Sequence, residues 1–330
     1  ELQIIEKNQD DVRLAFIPKT IWIEVASACN LRCRMCGVHA VDGPWRQKAS
    51  KLMKKELFFE IVDQTADWEV DYNLHYFGEP LLHPEFIQLI KYCRQRAPKS
   101  KVSFHTNGYL LTPQFSDRLL ESGCHEVFCS LDGVTQETHE KIRIRSNYAR
   151  VIKNLEYLLS ARDRSGTELN VGVTFVIQDA NRHEQQAFYE HWKNSVDVIH
   201  FIAEDTLDHT KNEWFFPPQP ERECHSIKNQ LVFDTDGTVT VCCADALGKL
   251  ALGTVASQPL KQLLSSRRAH DLVAQITSKA IDDNPLCRNC TMRGVHLQQN
   301  EIMDGHMILT TPHMKRHYLN NRPTALNPKR

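Results

Sequence analysis

The sequence predicts an α/β chain: a parallel sheet with helices packed outside it, followed by a smaller cysteine-bearing unit. Three observations carry this. Short strand-like runs alternate with helical patterns from Thr20 to about Ala203. A proline-rich stretch without periodicity interrupts the alternation after that point. Beyond it, five of the eleven cysteines fall in the last third of the chain.

The expected strands are Ile21–Ala26, Asn73–Phe77, Val102–His105, Glu126–Leu131, Leu169–Ile177 and Val198–Ala203, most of them rich in Val, Ile, Phe or Tyr. Between them Phe86, Leu89, Ile90 and Cys93 recur at i, i+3, i+4, i+7, and Val151, Leu155, Leu158 and Leu159 at i, i+4, i+7, i+8. Thr112-Pro113 reads as an N-cap followed by proline in the first turn of a helix that carries Leu119 and Leu120. Six strand–helix repeats place the active-site loops at the carboxyl ends of the strands. Residues 204–223, with Pro217, Pro218 and Pro220, read as a linker. Asp236-Gly237 between two apolar runs predicts a hairpin that ends at Cys242. One helix is expected from about Pro259 to Ile276. From Met314 to Arg330 the cations Lys315, Arg316, Arg322, Lys329 and Arg330 occur without an acid, so residues 301–330 are expected to be a solvated tail.

Composition narrows the function classes. The 330 residues are 41% hydrophobic and 25% charged, with a net charge of −1. That is ordinary for a globular chain and gives no global pull toward nucleic acid or a membrane surface. No apolar run reaches the roughly 18 residues of a membrane span, and the first residues lack a signal-peptide core, so the cytoplasm is the expected compartment. In a reducing compartment, clustered cysteines read as metal ligands before disulfides. Cys93 and Cys129 lie on apolar faces and read as small core residues; Cys124, in a turn after Gly123, is given no role.

Cys29-Asn-Leu-Arg-Cys33-Arg-Met-Cys36 follows the first strand directly. Three thiolates there can hold zinc, with His39 as a fourth ligand, or an iron–sulfur cubane that keeps one iron open. Phe77-Gly78-Glu79-Pro80 follows the second strand, Thr106-Asn107-Gly108 ends the third, Ser130-Leu131-Asp132-Gly133 ends the fourth, and His139-Glu-Lys-Ile-Arg143 comes next. Alternation along the first strand puts Ile21, Ile23 and Val25 on one face and Glu24 on the other, pointing inward. A buried carboxylate needs a partner, so Glu24 either serves a bound reactant or pairs with an inward Arg or His.

The cysteine loop and these turns together resemble the radical S-adenosylmethionine (SAM) superfamily. The resemblance implies a partial (βα)6 TIM-like barrel over residues 1–203. Cys29, Cys33 and Cys36 would hold a [4Fe–4S] cluster, and Met35, Gly78, Glu79, Pro80, Asn107, Ser130, Asp132 and Arg143 would bind SAM. In this reading Glu79 meets the methionine amino group, Ser130 and Asp132 the ribose hydroxyls, and Arg143 the carboxylate. Phe77 stands where the family has a first glycine. Cys224, the hairpin to Cys242-Cys243, Gly253 and Cys287-Arg-Asn-Cys290 resemble a SPASM-type extension, expected over 224–300. That implies an auxiliary [4Fe–4S] cluster on Cys224, Cys242, Cys287 and Cys290, with zinc and an exchange of Cys242 and Cys243 as alternatives. It would make a small C-terminal iron–sulfur domain. A flavodoxin- or ferredoxin-type electron donor is also implied. The expected activity is hydrogen abstraction by a 5′-deoxyadenosyl radical. Its expected outcome is epimerisation of a sugar or aminocyclitol, with Cys243 and Glu24 as catalytic residues. Dehydrogenation and peptide crosslinking or epimerisation stay open. The short stretch before Cys29 leaves no room for a leader-recognition domain, which tilts the expectation toward a small molecule.

Overall fold

The computed structural model describes residues 14–43, 51–204, 215, 224, 226–288, 290, 299–303, 306–311 and 313–319. Six strands pair in parallel in sequence order: β1 (Thr20–Ile23), β2 (Asp71–Asn73), β3 (Val102–Thr106), β4 (Glu126–Ser130), β5 (Asn170–Ile177) and β6 (Val198–Ala203). The connecting helices are α1 (Lys55–Thr65), α2 (Phe86–Arg96), α3 (Pro113–Leu120), α4 (Gln136–Ile142), α5 (Tyr148–Ser165) and α6 (Gln185–Trp192). Ile21, Ile23 and Val25 share one buried core with Phe58, Ile61 and Val62 of α1, as the alternation requires. Cys93 and Cys129 lie in the same core. Thr112 caps α3 by accepting the Phe115 N–H at 3.3 Å.

β2 begins earlier and is shorter than expected. Tyr76 and Phe77 belong to an apolar run, but the Phe77 and Gly78 N–H groups donate to the Glu24 carboxylate instead of to a neighbouring strand. The regular strand therefore ends at Asn73, followed by one last bond from the Leu74 N–H to the Ser103 carbonyl of β3 (2.8 Å).

The sheet is strongly curved. A flat sheet with strands about 4.8 Å apart would put β3 and β6 about 14 Å from one another. The rings of His105 on β3 and His200 on β6 stand 6.4 Å apart. The strands thus wrap around a lumen lined by Trp22, His75, His105, Phe128 and His200. Gly172 makes room for this lining, because a Cβ there would lie 2.5 Å from the Phe128 ring.

The C-terminal third covers both edges of this half-barrel. β7 (Gln230–Phe233) pairs parallel with β1 and turns at Asp236-Gly237 (φ +82°) into β8 (Thr238–Thr240), which pairs with β9 (Gly253–Thr254). The expected helix after Pro259 is two helices, α7 (Leu260–Ser265) and α8 (Arg267–Ile276). Ser266 is extended between them and caps α8 through the Ala269 N–H. At the other edge lie β10 (Gln299–Met303), β11 (His306–Thr310) and β12 (Met314–Tyr318), and β12 pairs antiparallel with β6. This corrects the expectation of a solvated tail from residue 301. Arg316, His317 and Tyr318 are buried in the sheet, whereas residues 320–330 lie outside the described residues. Of the linker, only Glu204 and Phe215 are described. Among the described residues no helix is long and apolar enough to cross a membrane.

Candidate active site

The loop that carries Cys29, Cys33 and Cys36 leaves the carboxyl end of β1 and is held from two sides. Arg32 and Arg34 donate their N–H groups to Ile144 and Ile142, and Ala28 accepts the Glu79 N–H at 2.8 Å. The Leu31 N–H points at Cys29 Sγ (3.4 Å), the His39 N–H at Cys36 Sγ (3.2 Å), and Arg143 Nη1 stands 3.9 Å from Cys33 Sγ. Burial pushes the Cys29 thiol up to about 12 and the Cys33 thiol up to about 11, with Arg143 opposing the rise at Cys33. Metal ligation requires thiolates. The N–H donors and the guanidinium are groups that favour thiolate, so the donor set fits an iron–sulfur cluster. Met35 sits half-buried in the turn between Cys33 and Cys36.

Glu79 is buried and heavily hydrogen-bonded. Oε1 accepts from the Leu81 N–H (3.1 Å) and Thr106 Oγ1 (2.7 Å), and Oε2 from the Asn107 N–H (2.8 Å). Burial still raises its carboxyl above the ordinary value. Pro80 opens the short helical turn that follows. Asn107 Nδ2 donates to Asn30 Oδ1 at 2.8 Å, which ties the β3 turn to the cysteine loop. Gly78 has a requirement other than approach to a ligand. A Cβ there would lie 1.9 Å from the Ala26 carbonyl oxygen, so the loop passes against the end of β1.

Asp132 and Glu24 differ from expectation. Asp132 is fully buried; its Oδ1 accepts the Val176 N–H (2.8 Å) and its Oδ2 lies 2.8 Å from Arg143 Nε. Asp132 is thus held by the β5 backbone on one oxygen and by the Arg143 ion pair on the other, and so positions Arg143. Glu24 Oε1 accepts the Phe77 N–H (3.0 Å) and the Gly78 N–H (3.3 Å). Backbone groups of the turn before Glu79 are thus among its partners, so this carboxylate holds the loop that carries Glu79. Ser130 stands half-buried at the end of β4.

In the C-terminal unit, Cys242 is half-buried and its thiol is raised, first by desolvation and then by the neighbouring Cys243, Cys290 and Cys224. The Ala244 N–H points at Cys242 Sγ at 3.4 Å. Cys287 and Cys290 share one turn, in which the Cys290 N–H donates to the Cys287 carbonyl. Tyr76, half-buried just before the Phe77–Pro80 turn, has its phenol held well above the ordinary value, first by desolvation and then by the nearby Cys243 and Cys242. The second cysteine set therefore lies within electrostatic reach of that turn.

Residues 23–190 match the family model described as the radical SAM superfamily. The chain belongs to the radical SAM superfamily. Residues 224–291 match SPASM, an iron–sulfur cluster-binding domain. The protein is thus a radical SAM enzyme with a SPASM domain. It is 32% identical over 138 residues to mycofactocin maturase MftC of Mycobacterium ulcerans (strain Agy99), a match that covers 42% of this chain and 36% of that protein. The chain therefore spans about a third of the length of that relative. Among solved structures it resembles BtrN in complex with AdoMet and 2-DOIA (TM-score 0.56, 16% identity, 83% of this chain and 92% of that one). It also resembles anSMEcpe with bound AdoMet (TM-score 0.62, 18% identity, 84% and 91%). These two likenesses establish the shared fold.

Sequence reasoning missed several residues of this radical SAM site. Glu184 accepts from the Val134 N–H (2.6 Å), Thr135 Oγ1 (2.7 Å) and Thr138 Oγ1 (2.5 Å) and so fixes the turn after Asp132. His75, His105, Thr174, His200 and Arg316 line the lumen. The period-two pattern of β5 and β6 could have revealed Thr174 and His200; Arg316 had no local signal.

Proposed function

We propose that this protein cleaves SAM with a cluster on Cys29, Cys33 and Cys36 and epimerises a carbon centre of a sugar-like small molecule. When bound, the [4Fe–4S] cluster supplies the electron that splits SAM into methionine and a 5′-deoxyadenosyl radical. Gly78, Glu79, Pro80, Asn107 and Met35 would hold the methionyl end of SAM, and Ser130 its ribose. Arg143, fixed by Asp132, keeps a guanidinium beside the cysteine loop. Cys224, Cys242, Cys287 and Cys290 would hold a second cluster.

The position of Cys243 carries the epimerase reading. It follows the proposed ligand Cys242 in the chain and lies within electrostatic reach of Tyr76, just before the Phe77–Pro80 turn. The adenosyl radical takes one hydrogen atom from the substrate. The Cys243 thiol returns one from the other face and becomes a thiyl. Two electrons from a flavodoxin- or ferredoxin-type donor close the cycle: one re-reduces the group on Cys29, Cys33 and Cys36, and one, with a solvent proton, restores the thiol, while one SAM is converted to methionine and 5′-deoxyadenosine per turnover.

In D2O the product should gain one deuterium at the inverted carbon, read by mass spectrometry. Anaerobic Cys243→Ala should keep about eight irons, as expected for two cubanes, and should still form 5′-deoxyadenosine without inverted product. Loss of about four irons would instead make Cys243 a ligand, and normal product would end the donor role. The maturase name of the mycobacterial relative supports a second reading, in which the substrate is a peptide.

A further inference from the structure

The lumen carries a polar row of which the SAM-binding reading uses only the first member, Ser130. Ser130, Thr174, His200 and Arg316 stand side by side, in register, on β4, β5, β6 and β12. Alternation turns them away from Cys129, Val173 and Ile199, which lie in the core beneath the helices. Thr174, His200 and Arg316 are only 3%, 6% and 4% exposed. Thr174 Oγ1, His200 Nε2 and Arg316 Nε have no hydrogen-bond partner among the described residues.

Arg316 Nη2 lies 3.4 Å from His200 Nδ1, and its Cζ stands over the rings of Phe128 (5.5 Å) and Tyr318 (5.9 Å). Among the described residues no carboxylate pairs with it. Arg143, whose charge reaches the same lumen residue His105, has Asp132 at 2.8 Å. Of the two guanidiniums, Arg143 thus has a carboxylate partner and Arg316 has none among the described residues. Burial and the adjacent Arg316 keep His200 neutral. Its Nδ1 accepts from Arg316, so its Nε2 carries the hydrogen and is a donor. A hydroxyl, an imidazole N–H and a guanidinium therefore supply three buried donor groups, and the guanidinium has no carboxylate partner among the described residues. Leaving such groups unmatched is costly, and an oxyanion satisfies all of them at once.

We propose that Thr174, His200 and Arg316 bind an oxyanion, carboxylate or phosphate, carried by the substrate. The assignment rests on the reading of the lumen as the substrate site. It narrows the substrate class to acidic or nucleotide-linked sugars and disfavours a cationic aminocyclitol, which the guanidiniums would repel.

Sodium acetate and methyl phosphate serve as probes on the anaerobically reconstituted protein at constant ionic strength, with binding read as a saturable rise in melting temperature. Arg316→Gln should need at least tenfold more of the effective probe than wild type. Arg316→Lys should fall between them, and Thr174→Val should need severalfold more. A response to acetate alone identifies a carboxylate, and a response to methyl phosphate alone a phosphate. SAM affinity, measured by equilibrium dialysis, should be the same in wild type and Arg316→Gln. A drop there would give the row to SAM and overturn the proposal, as would equal probe responses in all variants. If Arg316→Gln does not fold, Thr174→Val decides, and an unchanged probe response overturns the proposal. Probe binding without any 5′-deoxyadenosine formation by wild type would count against the radical reading and leave the anion site standing.

Discussion

Replacing Glu24 tests whether the carboxylate acts on reactants or on the loop that holds Glu79. Its Oε1 accepts two backbone N–H groups, from Phe77 at 3.0 Å and Gly78 at 3.3 Å. A hydrogen bond to a charged group contributes about 1.5–3 kcal/mol, against about 0.5–1.5 kcal/mol for a neutral one. Glu24→Gln keeps the shape and a carbonyl acceptor, so it loses only the charge increment of two bonds. Relief of a buried charge offsets part of that, and the net cost should be about 1–2 kcal/mol. Glu24→Ala removes the acceptor altogether and leaves two partly buried donors unmatched, at about 2–5 kcal/mol. Because the same turn carries Glu79, SAM affinity should fall in the order wild type, Gln, Ala. Denaturant unfolding of the reconstituted protein gives the stabilities, and equilibrium dialysis gives the SAM affinities. Wild-type stability and SAM affinity in Glu24→Ala would refute the positioning role. Wild-type stability with no turnover in Glu24→Gln would move Glu24 into contact with the reactants.

The Asp132–Arg143 pair is buried, so removing one partner strands the other. Asp132→Asn and Arg143→Gln should each cost about 3–5 kcal/mol, and the double variant less than their sum; additive losses in denaturant unfolding would show that the two do not act as a pair. The lumen imidazoles predict an acid-sensitive fold. Burial lowers His75 to about 3 and holds His105 and His200 well below the ordinary value. Below about pH 6.5 the unfolded chain binds protons that the folded chain refuses. Stability therefore rises with pH across this window and falls on acidification, by about 1.4 kcal/mol per pH unit for each buried imidazole. Unfolding curves from pH 5.5 to 7.5, with iron content followed in parallel, check this; a flat profile at constant iron content would contradict it.

What could be read from the sequence was local in the chain. The cysteine loop, the Thr112 cap, the Asp236-Gly237 turn and the opposite faces of Phe128 and Cys129 each depend on neighbours a few residues away, and alternation or spacing encodes them. What could not be read depends on partners distant in sequence. The donors to Glu24 lie more than fifty residues downstream. Gly78 suggested approach to a ligand, whereas its missing Cβ leaves space for the Ala26 carbonyl. Arg316 sits in a basic stretch that by composition reads as solvated. Only pairing with β6 turns alternate residues of that stretch inward, and pairing between distant strands leaves no periodic trace in either one. The expected helix after Pro259 was long enough by pattern, but a single serine that caps its second half divides it.

The placement of β7 and β12 has a consequence for how the chain acquires its shape. The second neighbour of β1 is β7, and the second neighbour of β6 is β12, both from the last third of the chain. During synthesis the six parallel strands emerge first, with Ile21–Ile23 at one open edge and Val198–Ala203 at the other. Unpaired apolar strand edges invite pairing with other chains. Closure between residues so far apart in sequence is slow. The nascent core therefore passes through a stage with two sticky borders, which ends only when the cysteine-bearing segment and the final hairpin have left the ribosome. Chains that stop before Met314 would keep the second border permanently, and their yield of dispersed protein should depend on chaperone supply.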